Sequence, residues 1–250
     1  MAKIMTAVID GDMLLYKVCH SCEVETKWTD DLWTLHTTES TMKQEVFKFI
    51  DNITKKLKNP DVIVVFSPKV NFRYSLFPAY KAGRKGKRKP MGLKPLRAWM
   101  LKEFNAVEAQ DMEADDYIGI ICTENPSEYI AVSGDKDFGT LPITWYNHLK
   151  DELVTTSSEE AKRFHLIQTL AGDTVDGYAG IKGIGVKTAH KILDKGGATW
   201  KTVVEAYEKA DMTEEDALLT ARLAYILQSH NYNRVTKQIT MWSPEDAVTN

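Results

Sequence analysis

The sequence predicts an α/β fold, a mostly parallel sheet flanked by helices, followed by a helical region. Three observations carry this. Apolar runs at Lys3–Asp10, Asp61–Phe66 and Tyr129–Ser133 alternate with stretches of helical spacing, as in a parallel sheet with crossover helices. The run Asp61-Val-Ile-Val-Val-Phe66 is continuously apolar after its first residue, the mark of a strand covered on both faces. From about Ser157 the pattern becomes helical, which divides the chain into a core over residues 1–156 and a helical region over 157–250.

Taken in order, Lys3–Asp10 reads as a buried strand with Asp10 at its carboxyl end and Gly11 opening the turn. Met13–Val24 reads as the first helix. Trp28–Thr38 alternates at period two around Asp30-Asp31 and suggests a hairpin. Thr41–Lys58 carries Val46, Phe47, Ile50, Ile53 and Leu57 at helical spacing. A helix over about Leu93–Phe104 follows a basic stretch, and another covers residues 113–124. The strand Tyr129–Ser133 then delivers Asp135 and Asp137 just past its end. Helices are predicted over Ser158–Ala171, Val186–Leu193, Trp200–Ala210 and Thr213–Ser229, with a short extended tail from Thr236.

Composition narrows the function classes. No run of about 18 apolar residues exists, so no membrane span is predicted. The start runs straight into a strand rather than a signal peptide. Three cysteines in a chain large enough to need no staples fit a reduced, cytoplasmic setting. Cys19 and Cys22 form a CxxC with no second pair to complete a zinc site, and read as ordinary helix residues. A net charge of −3 argues on its own against a nucleic-acid partner. The distribution argues the opposite, because Ser67–Lys102 holds eleven Lys or Arg and no Asp or Glu.

The carboxylates are the strongest chemical signal. Glu113-Ala-Asp-Asp116 puts three acids in four residues at the head of an otherwise apolar helix. Such a group repels itself, and burial would raise its pKa values, unless a cation sits between; hard oxygen ligands suit magnesium or manganese. Asp10, Asp135 and Asp137 fall at strand carboxyl ends, where open α/β sheets bind ligands. Asp173 and Asp176 lie in Gly172-Asp-Thr-Val-Asp-Gly177, which alone would be an Asx-turn. Helix capping is the plain alternative for Glu113 or Asp135 singly, and it is the reading preferred for Asp12.

Two stretches look DNA-facing. Gly180-Ile-Lys-Gly-Ile-Gly-Val-Lys-Thr-Ala189 sets Gly183 and Gly185 before a helix start, where free N–H groups make an anion site. Lys182, Lys187 and Thr188 belong with it, and the span of about 172–195 reads as a helix–hairpin–helix element; the plain alternative is a helix–turn–helix corner. Phe72–Arg84, followed by Lys85, Lys87, Arg88 and Lys89, interleaves aromatics with cations. Aromatic faces can stack unpaired bases while cations track the backbone, and Arg73 and Tyr80 are assigned to that surface.

Together these pieces resemble the 5′-nuclease superfamily of flap endonucleases, most closely bacteriophage 5′-3′ exonucleases. The matching motifs are Ile9-Asp-Gly11, Asn71-Phe-Arg73 with Tyr80-Lys-Ala-Gly-Arg84, Glu113-Ala-Asp-Asp116, Ser133-Gly-Asp-Lys-Asp-Phe138, and Gly172-Asp-Thr-Val-Asp-Gly177 followed by Gly183-Ile-Gly185. The resemblance implies a PIN-like core and a basic arch over about residues 68–104. It also implies a helix–three-turn–helix gripping duplex DNA, with room for a monovalent cation at its turn. Two divalent ions, Mg²⁺ or Mn²⁺, would be shared among Asp10, Glu113, Asp115, Asp116, Asp135, Asp137, Asp173 and Asp176. Lys81 and Arg84 match arch residues that contact the scissile phosphate. One departure stands out: after the Asp61–Phe66 strand the family usually carries a further metal-binding aspartate, and here the residues are Ser67-Pro68.

The implied activity is metal-dependent hydrolysis of DNA near 5′ ends, flaps or nicks, with RNA–DNA hybrid as a further substrate. The chain would act as a monomer in the cytoplasm, that of an infected bacterium if phage-encoded. The rivals are a non-catalytic DNA-junction binder of the same fold and a PIN-type ribonuclease.

Overall fold

The structure, a computed structural model, describes residues 5–247; Lys3 and Ile4 of the first predicted strand, and residues 248–250 of the tail, lie outside them. In chain order the strands are β1 (Thr6–Asp10), β2 (Val24–Lys27), β3 (Trp33–His36), β4 (Asp61–Phe66), β5 (Ala106–Glu108), β6 (Tyr129–Ser133), β7 (Thr144–Asn147), β8 (Glu152–Thr155), β9 (Gly172–Asp173), β10 (Tyr178–Ala179), β11 (Tyr232–Asn233) and β12 (Gln238–Ile239). The helices are α1 (Gly11–Ser21), α2 (Glu39–Lys56), α3 (Arg73–Leu76), α4 (Leu93–Glu103), α5 (Ala114–Glu124), α6 (Ser158–Ala171), α7 (Val186–Gly196), α8 (Trp200–Glu208) and α9 (Glu214–Ala224).

The main sheet runs β5-β4-β1-β6-β7-β8, parallel except for the last pair. Alternate residues of its strands feed two cores, as the period of a strand requires. Ala7, Ile9, Val64, Phe66, Ile130 and Val132 meet α1, α2 and α4 on one face. Val8, Val65 and Ala131 meet α5 and the segment after α9 on the other. The apolar run of β4 is covered on both faces over Val64–Phe66, whereas Asp61 is exposed. A further apolar cluster, built on Leu166, Leu170, Leu193, Val203 and Tyr207, unites α6, α7 and α8.

Several predicted bounds shift, each for a local reason. The first helix begins at Gly11, not Met13, because the Asp10 carboxylate caps it by accepting the Met13 N–H at 3.0 Å. Val24 belongs to β2; the hairpin pairs Lys27 with Trp33 and carries Asp30-Asp31 in its turn. The last long helix stops at Ala224 rather than Ser229, because residues 225–227 run extended against α5, where the Leu227 N–H reaches Asp116 Oδ1 at 3.0 Å. The edge strands β5 and β8, and β7 beside β8, are absent from the sequence reading. The tail beyond Thr236 contributes β12, which pairs with β11.

Gly11 is required by a close approach. A Cβ there would lie 2.6 Å from the Val65 carbonyl oxygen and 2.8 Å from the Phe66 ring, so α1 starts hard against β4. Gly11→Ala should therefore destabilise the protein by about 1–3 kcal/mol, read from urea denaturation; a midpoint equal to the parent's would show that the α1–β4 contact can relax.

Candidate active site

The site follows from topology. β4 and β5 lie on one side of β1 and β6 on the other, so the strand order reverses at β1, and the carboxyl ends of β1 and β6 flank the crevice in which open α/β sheets bind ligands. Asp10 ends β1 and is 4% exposed; its Oδ2 accepts the hydroxyl of Ser133, which ends β6, at 3.0 Å. The same Ser133 oxygen accepts the Asp135 N–H at 3.1 Å, and Asp135 Oδ1 accepts the Asp137 N–H at 2.9 Å. The start of α5 brings Glu113, Asp115 and Asp116, and the β9–β10 turn brings Asp173 and Asp176.

Electrostatic coupling sorts these acids into two neighbouring groups. Burial pushes Asp10 up to about 7, with Asp12 and Asp135 adding to the rise. Burial likewise drives Asp115 well above the ordinary carboxylate range, reinforced by Asp10, Asp135 and Glu113. Asp137 is pushed up to about 7 by burial, then by Asp135, Asp173 and Asp176. Asp135 thus borders both groups. For Glu113 the burial effect is outweighed by Arg73 and Lys81, which hold it below its usual value.

Two cations pair with acids of the site. Lys81 Nζ lies 2.6 Å from Glu113 Oε1 and 3.6 Å from Asp176 Oδ2, and Arg84 pairs with Asp176. The Lys81 N–H also donates to the Asp176 carbonyl at 2.7 Å. Lys81 itself sits at φ 54°, a left-handed conformation uncommon for a residue with a side chain.

Three assignments made from the sequence are corrected. Arg73 is 3% exposed and cannot contact DNA: it grips Asp116 at 2.5 and 2.9 Å and donates to the carbonyls of Leu223 and Tyr225. Asp116, fully buried, spends its oxygens on Arg73, the Glu113 N–H and the Leu227 N–H, so it serves as an anchor and not as a ligand facing the crevice. Tyr80 is 2% exposed and offers no face for base stacking; its hydroxyl donates to Glu113 at 3.0 Å and lies 3.2 Å from Asp176 Oδ2.

The remaining assigned residues are placed as follows. Lys85, Lys87 and Lys89 are exposed without an ion-pair partner among the described residues, whereas Arg88 pairs with Glu23 at 2.5 and 2.8 Å, at the foot of the β2–β3 hairpin. Lys182, Gly183, Gly185, Lys187 and Thr188 are exposed around the start of α7, which has no side-chain cap. Gly183 has φ 81°, and a Cβ at Gly183 or Gly185 would meet nothing within 4 Å, which leaves this turn open to a partner from outside.

Sequence reasoning missed the neutral residues that hold the acids. Ser133 and Asn71 lay inside recognised motifs but were given no role; Asn71 donates to Glu113 Oε1 at 3.2 Å. Gln168, 8% exposed, donates to Asp137 Oδ1 at 2.7 Å, while its Oε1 is buried without a partner. Nothing in the helical pattern of α6 distinguishes Gln168 from its neighbours.

The donor set suits a hard divalent cation: several carboxylates at low dielectric, mutually repelling, beside an orphaned amide oxygen. Among the described residues no three acids are already drawn into a closed metal cage; cationic side chains hold Glu113, Asp116 and Asp176 instead.

Comparison with known proteins fits this geometry. Residues 5–165 match the family described as 5′-3′ exonuclease, N-terminal resolvase-like domain. The chain belongs to the 5′-3′ exonuclease family. It is 28% identical to the exodeoxyribonuclease of Enterobacteria phage T3, over 95% of this chain and 92% of that protein. The fold matches phage T5 5′-exonuclease with bound zinc, at a TM-score of 0.66, 17% identity and 88% of each chain. It also matches T5 flap endonuclease in a pseudo-enzyme–product complex with DNA and metal ions, at a TM-score of 0.65, 16% identity and 88% of each chain. Family membership makes the chain a 5′-nuclease. Among the described residues no helix is long and apolar enough to cross a membrane.

The raised carboxyl pKa values give a pH dependence with a definite sign. Without metal, the unfolded chain releases the Asp10 and Asp137 protons near 3.8 and the folded chain only near 7. The folded state therefore binds more protons between those values, and stability contributed by these groups falls as pH rises from about 4 to 7. Melting of the metal-free protein should show this decline across about pH 4–7, and an Asp10→Asn/Asp137→Asn variant should flatten it; an equal slope in both would contradict the assignment.

Proposed function

We propose that the chain hydrolyses DNA phosphodiesters near 5′ ends, as a 5′-3′ exonuclease and flap endonuclease dependent on Mg²⁺ or Mn²⁺. The observation that supports this reading is the mutual electrostatic coupling of Asp10, Asp115, Asp135 and Asp137, with Lys81 and Arg84 paired to the neighbouring Glu113 and Asp176. Two divalent ions bound there would activate water and stabilise the leaving oxygen. Asp10, Asp115 and Asp135 would hold one, and Asp137, Asp173 and Asp176 the other, with Glu113 beside the first.

The chain's own residues supply the rest. Lys81 and Arg84 exchange their carboxylate partners for the phosphoryl oxygens of the substrate and neutralise charge developing there. Ser133 and Gln168 keep Asp10 and Asp137 oriented. The basic arch, with Lys85, Lys87 and Lys89 free, guides an unpaired 5′ strand into the crevice, because a paired phosphate cannot reach its floor. The turn at Gly183–Gly185, with Lys182, Lys187 and Thr188, grips the duplex backbone without reading sequence, and a monovalent cation can join the phosphate there. This two-part use supports dividing the chain near residue 156 into a nuclease core and a duplex-gripping region. The enzyme acts as a monomer on flaps, nicks and primer hybrids in the cytoplasm of an infected bacterium.

Two variants separate the parts. Asp135→Asn should abolish Mg²⁺-dependent cleavage of a 5′-labelled flap while leaving duplex affinity nearly unchanged. Lys182→Ala should weaken binding and lower the salt slope of the affinity by about one. Normal turnover by the first would refute the catalytic assignment, and an unchanged slope for the second would remove Lys182 from the interface.

A further inference from the structure

Asp12 stands two residues beyond Asp10, where an acid in the first turn of a helix is ordinarily a cap or a partner of the dipole. It does not cap α1, since that role belongs to Asp10. Its side chain crosses instead to the end of β4, where the Ser67 N–H donates to Oδ2 at 2.8 Å. The Ser67 hydroxyl donates to Asp12 as well, and its oxygen accepts the Ala114 N–H at the start of α5, at 2.9 Å. Thus β1–α1, β4 and α5 meet around one residue that carries no acid, and the carboxylate present there is borrowed from α1.

Ser67 is thus the hydrogen-bonding partner of Asp12 through both its N–H and its hydroxyl. The acids that bear on the side chain are Asp10 beside it and Glu113 across from it. The cation that bears on it is Arg97 of α4, whose Nη2 is already engaged with the Ser67 carbonyl at 2.9 Å and Glu108 at 2.5 Å. Close packing of Gly11 on Val65 and Phe66 fixes the span from α1 to β4, so Asp12, partly exposed, is held at the end of β4 next to the head of α5.

We propose that Asp12 is a further ligand of the divalent cation at Asp10 and Asp115, supplying from α1 the carboxylate that the Ser67-Pro68 end of β4 lacks. This rests on the metal-dependent reading above. The competing role is a strut that only ties α1 to β4.

Asp12→Asn separates the two, because an amide oxygen still accepts the Ser67 N–H while the charge is gone. Mn²⁺ binding to the full chain, followed by the EPR signal of the free ion, is the readout, with metal-free melting as the measure of the strut. Asp12→Asn should melt close to the parent without metal, yet bind Mn²⁺ about tenfold or more weakly. Should that variant fold poorly, Asp12→Ser removes the charge with a smaller polar group and is read in the same way. Asp10→Asn is the control. If it weakens Mn²⁺ binding and the Asp12 variants do not, Asp12 is a strut and the proposal fails alone; if neither weakens binding, the metal reading fails with it.

Discussion

Like charges brought together at low dielectric must be separated, protonated or neutralised, and this constraint shapes the crevice beyond β1 and β6. Asp10, Asp115, Asp135 and Asp137 are placed there by backbone geometry that the fold cannot easily change: two are fixed to strand ends through Ser133, one to the head of α5, and one to a short turn tied to α6 by Gln168. Raised pKa values at Asp10, Asp115 and Asp137 express the cost of that placement. A protein gains nothing in stability from such crowding, which is why it reads as a site for an external cation rather than as packing.

The same acidic motif solves the opposite problem one residue away. Asp116 is buried completely, but Arg73 meets it with two hydrogen bonds and the backbone of residue 227 adds a third. Removing one member would strand a buried charge, the expensive case for an ion pair. The pair joins α3 at the start of the basic stretch, the head of α5 and the chain returning from α9. Glu113 therefore cannot shift without disturbing Tyr80, Lys81 and Asn71. Adjacent acids in one motif thus divide between holding the crevice together and facing into it.

Much of the fold was legible because its signals are local. β4 and β6 are continuous apolar runs, and α6 spans the predicted residues, with Ser157 accepting the Glu160 N–H at its start. The short strands β5, β7 and β8 carry too few residues for a period to show, and owe their state to pairing with the sheet. At the site, residue type revealed the acids but not their burial. Arg73 looked like one cation among many in a basic stretch, and only contacts 43 and 150 positions away in sequence turn it into an internal anchor. Gln168 was invisible for the same reason, since its partner Asp137 lies 31 positions off. Asp12 was read as a cap because the competing capper, Asp10, and the acceptor-seeking Ser67 N–H emerge only in three dimensions.

The central claim is that acids from β1, α5, β6 and the β9–β10 turn form one divalent-cation centre. Anomalous scattering from crystals grown with Mn²⁺ tests it most directly. The account predicts manganese peaks among Asp10, Asp115 and Asp135 and beside Asp137, Asp173 and Asp176, with Lys81 and Arg84 released from their carboxylate partners. Manganese bound only at the outer surface, with the crevice beyond β1 and β6 empty of it, would contradict the account.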